Sequence, residues 1–173
     1  MKGTDTVTDP SSQSEAPRKK GSAARVRTFL AEHGIAEDIV EFAHSTKTAQ
    51  MAADAMGCEL GQIVKSLVFV AGGTPVLALV AGDRRGDGAA IAALLGAEEA
   101  HFADADTVRE ATGYAIGGVS PFALPEGITI LADDSLDRFD IVYPAAGTPS
   151  SMVRMRLAQL LEVTGARVAR ISQ

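Results

Sequence analysis

Ile63-Val64-Lys65-Ser66-Leu67-Val68-Phe69-Val70-Ala71-Gly72-Gly73-Thr74-Pro75-Val76-Leu77-Ala78-Leu79-Val80-Ala81 is the stretch that decides the fold. Residues 63–70 are β-branched or apolar at positions of both parities, which marks a central strand covered on both faces. Gly72-Gly73 supplies a turn, and residues 75–81 form a second apolar strand, so the pair reads as a β-hairpin. Lys65 breaks the apolar run. An unpaired ammonium is costly to bury, so it must reach water, a carboxylate or an anionic ligand; an edge strand or a snorkelling stem satisfies the same pattern.

Outward from the hairpin, helical and extended segments alternate. On the N-terminal side, residues 22–33 read as a helix capped by Ser22, with Val26, Phe29 and Leu30 on one face and Gly34 as its stop. Residues 38–43 read as a short strand, and residues 48–56 as a helix begun at Ser45 or Thr46 and ended by Gly57. On the C-terminal side, Asp87 or Gly88 caps a helix through Leu95. A strand over 99–102 precedes a helix that starts at Asp104 or Asp106 and runs to Thr112. Strands follow at 128–131, 139–143, 152–155 and 167–171, with a short helix after Asp133 and a longer one over 156–163. Hairpins mixed with helical crossovers give an α/β or α+β fold with a mixed sheet, open or closed.

The chain has 173 residues and suggests one domain over 22–173. Residues 1–21, rich in Ser, Thr, Pro, Asp and Lys, are expected to be a disordered tail. No signal peptide is read at the N-terminus, and no apolar run reaches the ~20 residues of a membrane span, so a cytoplasmic location and no membrane partner are expected. The formal net charge is −6; the tail carries one net positive charge, which leaves −7 on the rest. A domain this acidic will not hold long nucleic acid by a general field, and no DNA partner is expected; recognition of a nucleic acid would be local.

The loop Gly113-Tyr114-Ala115-Ile116-Gly117-Gly118-Val119-Ser120-Pro121-Phe122 is the second informative stretch. Its glycines permit close approach to backbone amides, and Pro121 pushes Ser120 towards an extended conformation. It reads either as a donor cradle or as a plain turn. Asp133 follows a strand, where it could pair with Lys65, take a ligand group or cap residues 134–138. His33, His44 and His101 are scattered, and no Cys/His spacing matches zinc, so no metal and no cofactor are expected. Cys58 reads as a small buried hydrophobe, and residues 83–87 as a solvated loop.

Thr48-Ala49, Gln62-Ile63-Val64-Lys65-Ser66-Leu67, Gly82-Asp83, Thr112-Gly113-Tyr114, Gly117-Gly118-Val119-Ser120-Pro121, Asp133-Asp134-Ser135-Leu136 and Ala146-Gly147 occur in this order. In this the chain resembles the YbaK/EbsC family of aminoacyl-tRNA deacylases, relatives of the editing domain inserted in bacterial prolyl-tRNA synthetases. The resemblance covers roughly residues 25–171. It implies a mixed, barrel-like β-sheet surrounded by α-helices, and hydrolysis of the ester of mischarged tRNA, typically a wrong amino acid on tRNA(Pro). The implied partners are the acceptor end of aminoacyl-tRNA and a prolyl-tRNA synthetase. The implied catalytic set is Lys65, Gly117, Gly118, Ser120, Pro121 and Asp133, with Asp134 adjacent to the last. The implied substrate-binding set is Phe42, Thr48, Ser66, Tyr114, Val119 and Gly147. Some members carry a tyrosine where this chain has Phe42. A non-catalytic binding module on the same fold is the alternative.

Overall fold

The computed structural model describes residues 21–35 and 38–173. In chain order they form α1 (Ser22–Glu32), β1 (Ile39–Glu41), α2 (Ala49–Met56), β2 (Ile63–Ala71), β3 (Thr74–Ala81), α3 (Gly88–Leu95), β4 (Ala100–Phe102) and α4 (Ala105–Thr112). There follow β5 (Thr129–Asp133), β6 (Ile141–Pro144), β7 (Ser151–Val153), β8 (Met155–Arg156), α5 (Leu157–Thr164) and β9 (Arg167–Ala169). The expectation of a disordered tail lies outside the described residues, apart from Gly21.

The hairpin forms as expected, with β2 and β3 antiparallel from Val64↔Ala81 to Ala71↔Thr74. Gly72 and Gly73 turn it at φ +55° and +83°, values that suit residues without a Cβ. β3 pairs parallel with β5, and β5 parallel with β9. The result is a mixed sheet that curls into a half-barrel. Both faces of the hairpin are buried. Val64, Val68, Leu77 and Leu79 pack with Val26, Leu30 and Leu160 of α1 and α5. Phe69, Val76, Ala78 and Val80 pack with Ile91 of α3 on the other face.

Local chemistry sets the helix ends. The Thr48, Asp87 and Asp104 side chains accept backbone N–H bonds at the starts of α2, α3 and α4. Ser22 is not a cap: Gly21 takes that position and Ser22 is already helical. The strand expected over 152–155 divides at exposed Arg154, because β7 pairs with β1 in a separate two-stranded sheet while β8 pairs with β6. The strand expected at 128–131 runs on, which makes Asp133 its last residue.

One irregularity of the sheet positions the site. Along its outer edge, β2 pairs with β6 only at Ile63 and Val64, and with β4 only from Phe69 to Ala71. Pro144 ends β6, and a proline has no N–H with which to extend the ladder. Lys65, Ser66 and Leu67 are therefore paired on the β3 side alone.

Candidate active site

A cavity of about 360 Å³ opens in that gap. Its floor is the edge of β2 from Ile63 to Val68, and its walls come from the start of α2, from residues 116–119 and from residues 145–152. Of the residues expected at a site, Lys65, Ser66, Thr48, Gly117 and Val119 line it together.

Lys65 is half-buried, and its ammonium donates to the Arg84 carbonyl oxygen. Burial pushes its pKa below the ordinary lysine value, Asp83 opposes that shift and Arg85 adds to it. Asp83 is itself gripped by both terminal nitrogens of Arg138, at 2.7 and 2.8 Å, and this grip holds its carboxyl below the usual range. Gly82, beside it, cannot be larger: a Cβ there would meet the Leu60 carbonyl oxygen at 2.3 Å. The loop over 83–87 is solvated at Asp83, Arg84 and Arg85, as expected, and it also supplies the carbonyl oxygen to which Lys65 donates.

The Ser66 hydroxyl is buried and has no hydrogen-bond partner among the described residues. An orphaned buried hydroxyl is costly, and Ser66 is one of the residues that line the cavity. Four further hydroxyls line the cavity: Thr46, Thr48, Thr148 and Ser151. Thr48 accepts from the Met51 amide, Thr46 donates to the Pro149 carbonyl oxygen, and Thr148 and Ser151 share a 2.6 Å bond. Among the described residues no Asp, Glu or His lines the cavity.

The glycine loop is held from behind. The Tyr114 hydroxyl donates to the Phe122 carbonyl oxygen at 2.5 Å, and Arg25 of α1 donates to Gly113 and Ala123 while lying over the Tyr114 ring. The Ser120 hydroxyl accepts from the Phe122 amide, and Ser120 and Pro121 are buried. Tyr114, Ser120 and Pro121 therefore shape the loop without lining the cavity. The Gly118 amide donates to Ala115 within the turn, so it is not a free donor. The Gly117 and Val119 amides find no acceptor among the described residues. A Cβ on Gly118 would sit 3.2 Å from Thr148 Cα and press on the neighbouring loop rather than fill the cavity. Gly147 faces α1, where a Cβ would meet the Ser22 carbonyl oxygen at 2.7 Å.

Two expected residues stand elsewhere. Asp133 is 1% exposed and off the cavity. Its carboxylate accepts from the Ser135 amide and hydroxyl, the Ile171 amide and the Ser172 hydroxyl. It caps residues 134–138 and ties down the C-terminal segment, and no pair with Lys65 forms. Burial tends to raise its pKa, but these donors outweigh burial and hold it below the ordinary value. Phe42 packs in the cluster of Ala52, Ile63, Tyr143 and Met152 and does not line the cavity. Burial raises the pKa of the Cys58 thiol, and Cys58 is not among the residues that line the cavity. Among the described residues no group of three His, Cys, Asp or Glu side chains could hold a metal.

The fold that frames this cavity matches known proteins. The family model described as "Aminoacyl-tRNA editing domain" matches residues 43–163. The chain belongs to the aminoacyl-tRNA editing domain family. A crystal structure of a "putative trans-editing enzyme for prolyl tRNA synthetase" superposes with a TM-score of 0.83 at 39% identity, covering 90% of this chain and 99% of that one. The Bacillus subtilis protein YwhH is 34% identical over 148 residues, 85% of this chain and 94% of its own length. The "Putative Cys-tRNA(Pro)/Cys-tRNA(Cys) deacylase EbsC" of Enterococcus faecalis is 24% identical over 160 residues, 91% of this chain and 98% of its own length. The editing domain is thus an enzyme, an aminoacyl-tRNA deacylase. Sequence reasoning missed Lys47, Phe102, Ile116, Thr148 and Ser151 as lining residues. Only Lys47 carried a signal, as one of two lysines after residue 21.

Proposed function

We propose that this editing domain acts in trans on tRNA(Pro) carrying a small wrong amino acid, and that the substrate itself supplies the base. The observation that carries this reading is a cavity lined by Lys65, Ser66, Gly117 and Val119, with no carboxylate or imidazole among the described residues that line it. Ester hydrolysis needs an oriented water, a polarised carbonyl and a stabilised oxyanion. The Gly117 and Val119 amides suit the last role, because preorganised N–H donors in a water-poor site act where charge develops. A vicinal ribose hydroxyl of the terminal adenosine orients the attacking water, since no carboxylate or imidazole among the described lining residues is there to take its proton. Lys65 anchors the ribose–phosphate end as a cation.

Amino-acid choice rests on space. Ala49, Ala52, Val108 and Val119 leave room for a short side chain and offer it no charge. One methylene gives only ~10–200-fold discrimination in such a pocket, so selection is by exclusion of larger groups. The structural relative's link to prolyl-tRNA synthetase supports tRNA(Pro) and a synthetase partner here. The test is loss of ester from tRNA(Pro) charged with Ala, Cys, Ser or Pro. Hydrolysis of one or more of the first three, with prolyl-tRNA spared, is expected. Equal hydrolysis of all four, or of none, overturns the assignment.

A further inference from the structure

Two large apolar side chains on the cavity rim have no role in the chemistry above. Phe102 is 61% exposed and Ile116 is 60% exposed, and both line the cavity. Single exposed apolar residues need no explanation, but two at the mouth of one polar-edged cavity mark a contact surface. The Phe102 ring is backed on one side only. Its centroid lies 4.5 Å from that of buried Phe69, its cross-strand partner, with the rings tilted by 30°. Side chains alternate along a strand, so Lys65, Leu67 and Phe69 project to one side of β2, and Phe102 projects with them. Lys47 and Lys65, the only lysines after residue 21, both line the same cavity. An apolar ligand would not call for two cations, and a simple anion would not call for an open aromatic ring. A nucleotide presents both a flat base and a phosphate.

We propose that the 3′-terminal base of the substrate stacks on Phe102, is flanked by Ile116, and has its 5′-side phosphate held by Lys47. The proposal rests on the deacylase reading for the source of the nucleotide. The cavity is at the small end for a ligand site, which suits an aminoacyl group and ribose inside with the base at the mouth. Aromatic stacking is tolerant of base identity, so the seat grips a tRNA end without reading its sequence.

The chain contains no Trp, so Phe102→Trp introduces a single indole. Titrating that variant with adenosine 5′-monophosphate should quench its fluorescence saturably, and ribose 5-phosphate should not. Adding Lys47→Ala should weaken the response to the nucleotide but not to adenosine. Quenching that fails to saturate, or an equal response to ribose 5-phosphate, overturns the seat. In deacylation, Phe102→Ala should raise KM by about 5- to 150-fold with kcat retained, and Phe102→Tyr should restore it. An unchanged KM in Phe102→Ala overturns the proposal as well. Saturable nucleotide quenching in a protein that hydrolyses no charged tRNA would uphold the base seat and sink the functional reading instead.

Discussion

Lys65 carries a charge at a place where the fold resists one, and that conflict makes its role measurable. Burial lowers its pKa, Asp83 opposes and Arg85 adds. The ammonium is lost as pH rises through a value below 10.5, so turnover that needs the cation falls earlier on the alkaline side than an ordinary lysine would allow. A kcat/KM profile corrected for spontaneous ester hydrolysis should bend there, and a profile flat to pH 10.5 would contradict the anchoring role. Lys65→Met, which keeps the stem, should lower kcat/KM by roughly 10- to 150-fold, the range for a hydrogen bond to a charged group, with the fold intact by circular dichroism. Asp133 calls for the opposite measurement. Its folded pKa lies below 3.8, so its contribution to stability is fully present above pH 3.8 and is lost as pH falls through the folded value. Asp133→Asn should cost about 2–4 kcal/mol in urea unfolding at pH 7, because several donors lose a charged acceptor. The gap from the parent protein should close in acid. Parental stability combined with lost turnover would return this carboxylate to the site.

The glycine loop and the open edge of β2 are only as good as the elements that hold them apart. Tyr114 and Arg25 fasten the back of the loop, and Gly147 lets α1 come close enough for Arg25 to reach it. Tyr114→Phe leaves the buried Phe122 carbonyl oxygen without its donor, at a cost of about 1–3 kcal/mol. The melting temperature should drop and kcat should fall with it, because the Gly117 and Val119 amides lose their fixed aim; unchanged kcat would detach the loop from the chemistry. Much at this scale was legible in the sequence. Apolar runs of both parities identified the hairpin, and Asp87, Asp104 and Gly57 marked helix ends through short-range chemistry, whereas the cap of α2 is Thr48 and not Ser45 or Thr46. What depended on distant partners was not legible. Arg154 divides one expected strand because β1 and β6 lie on different sheets. The gap at residues 65–67 exists because β6 and β4 stop short from opposite ends. Asp133 read as well for a ligand as for a cap, since its Ile171 and Ser172 donors lie 38 and 39 residues away.

For the whole molecule, charge decides how a tRNA can be held. The chain is net −6, yet the two lysines after residue 21 share one cavity. Lengthy contact with the tRNA body would set phosphates against a surface of their own sign, whereas the acceptor end alone needs only a local pair of cations. This makes the salt dependence of binding a test of the recognition mode. Each phosphate neutralised on a single strand contributes a slope of about −0.7 in log affinity against log salt. Two lysines at the terminal nucleotides therefore give a slope of about −1.4, far shallower than that of a protein that grips six or more phosphates. The measurement is 1/KM for charged tRNA between 50 and 400 mM salt, repeated with a charged minihelix that keeps only the acceptor stem. The same shallow slope and a similar KM are expected for both. Lys47→Ala should reduce the slope by about half. A steep slope with full-length tRNA that collapses on the minihelix would mean that a surface remote from the cavity, or the N-terminal Arg18-Lys19-Lys20, carries the binding.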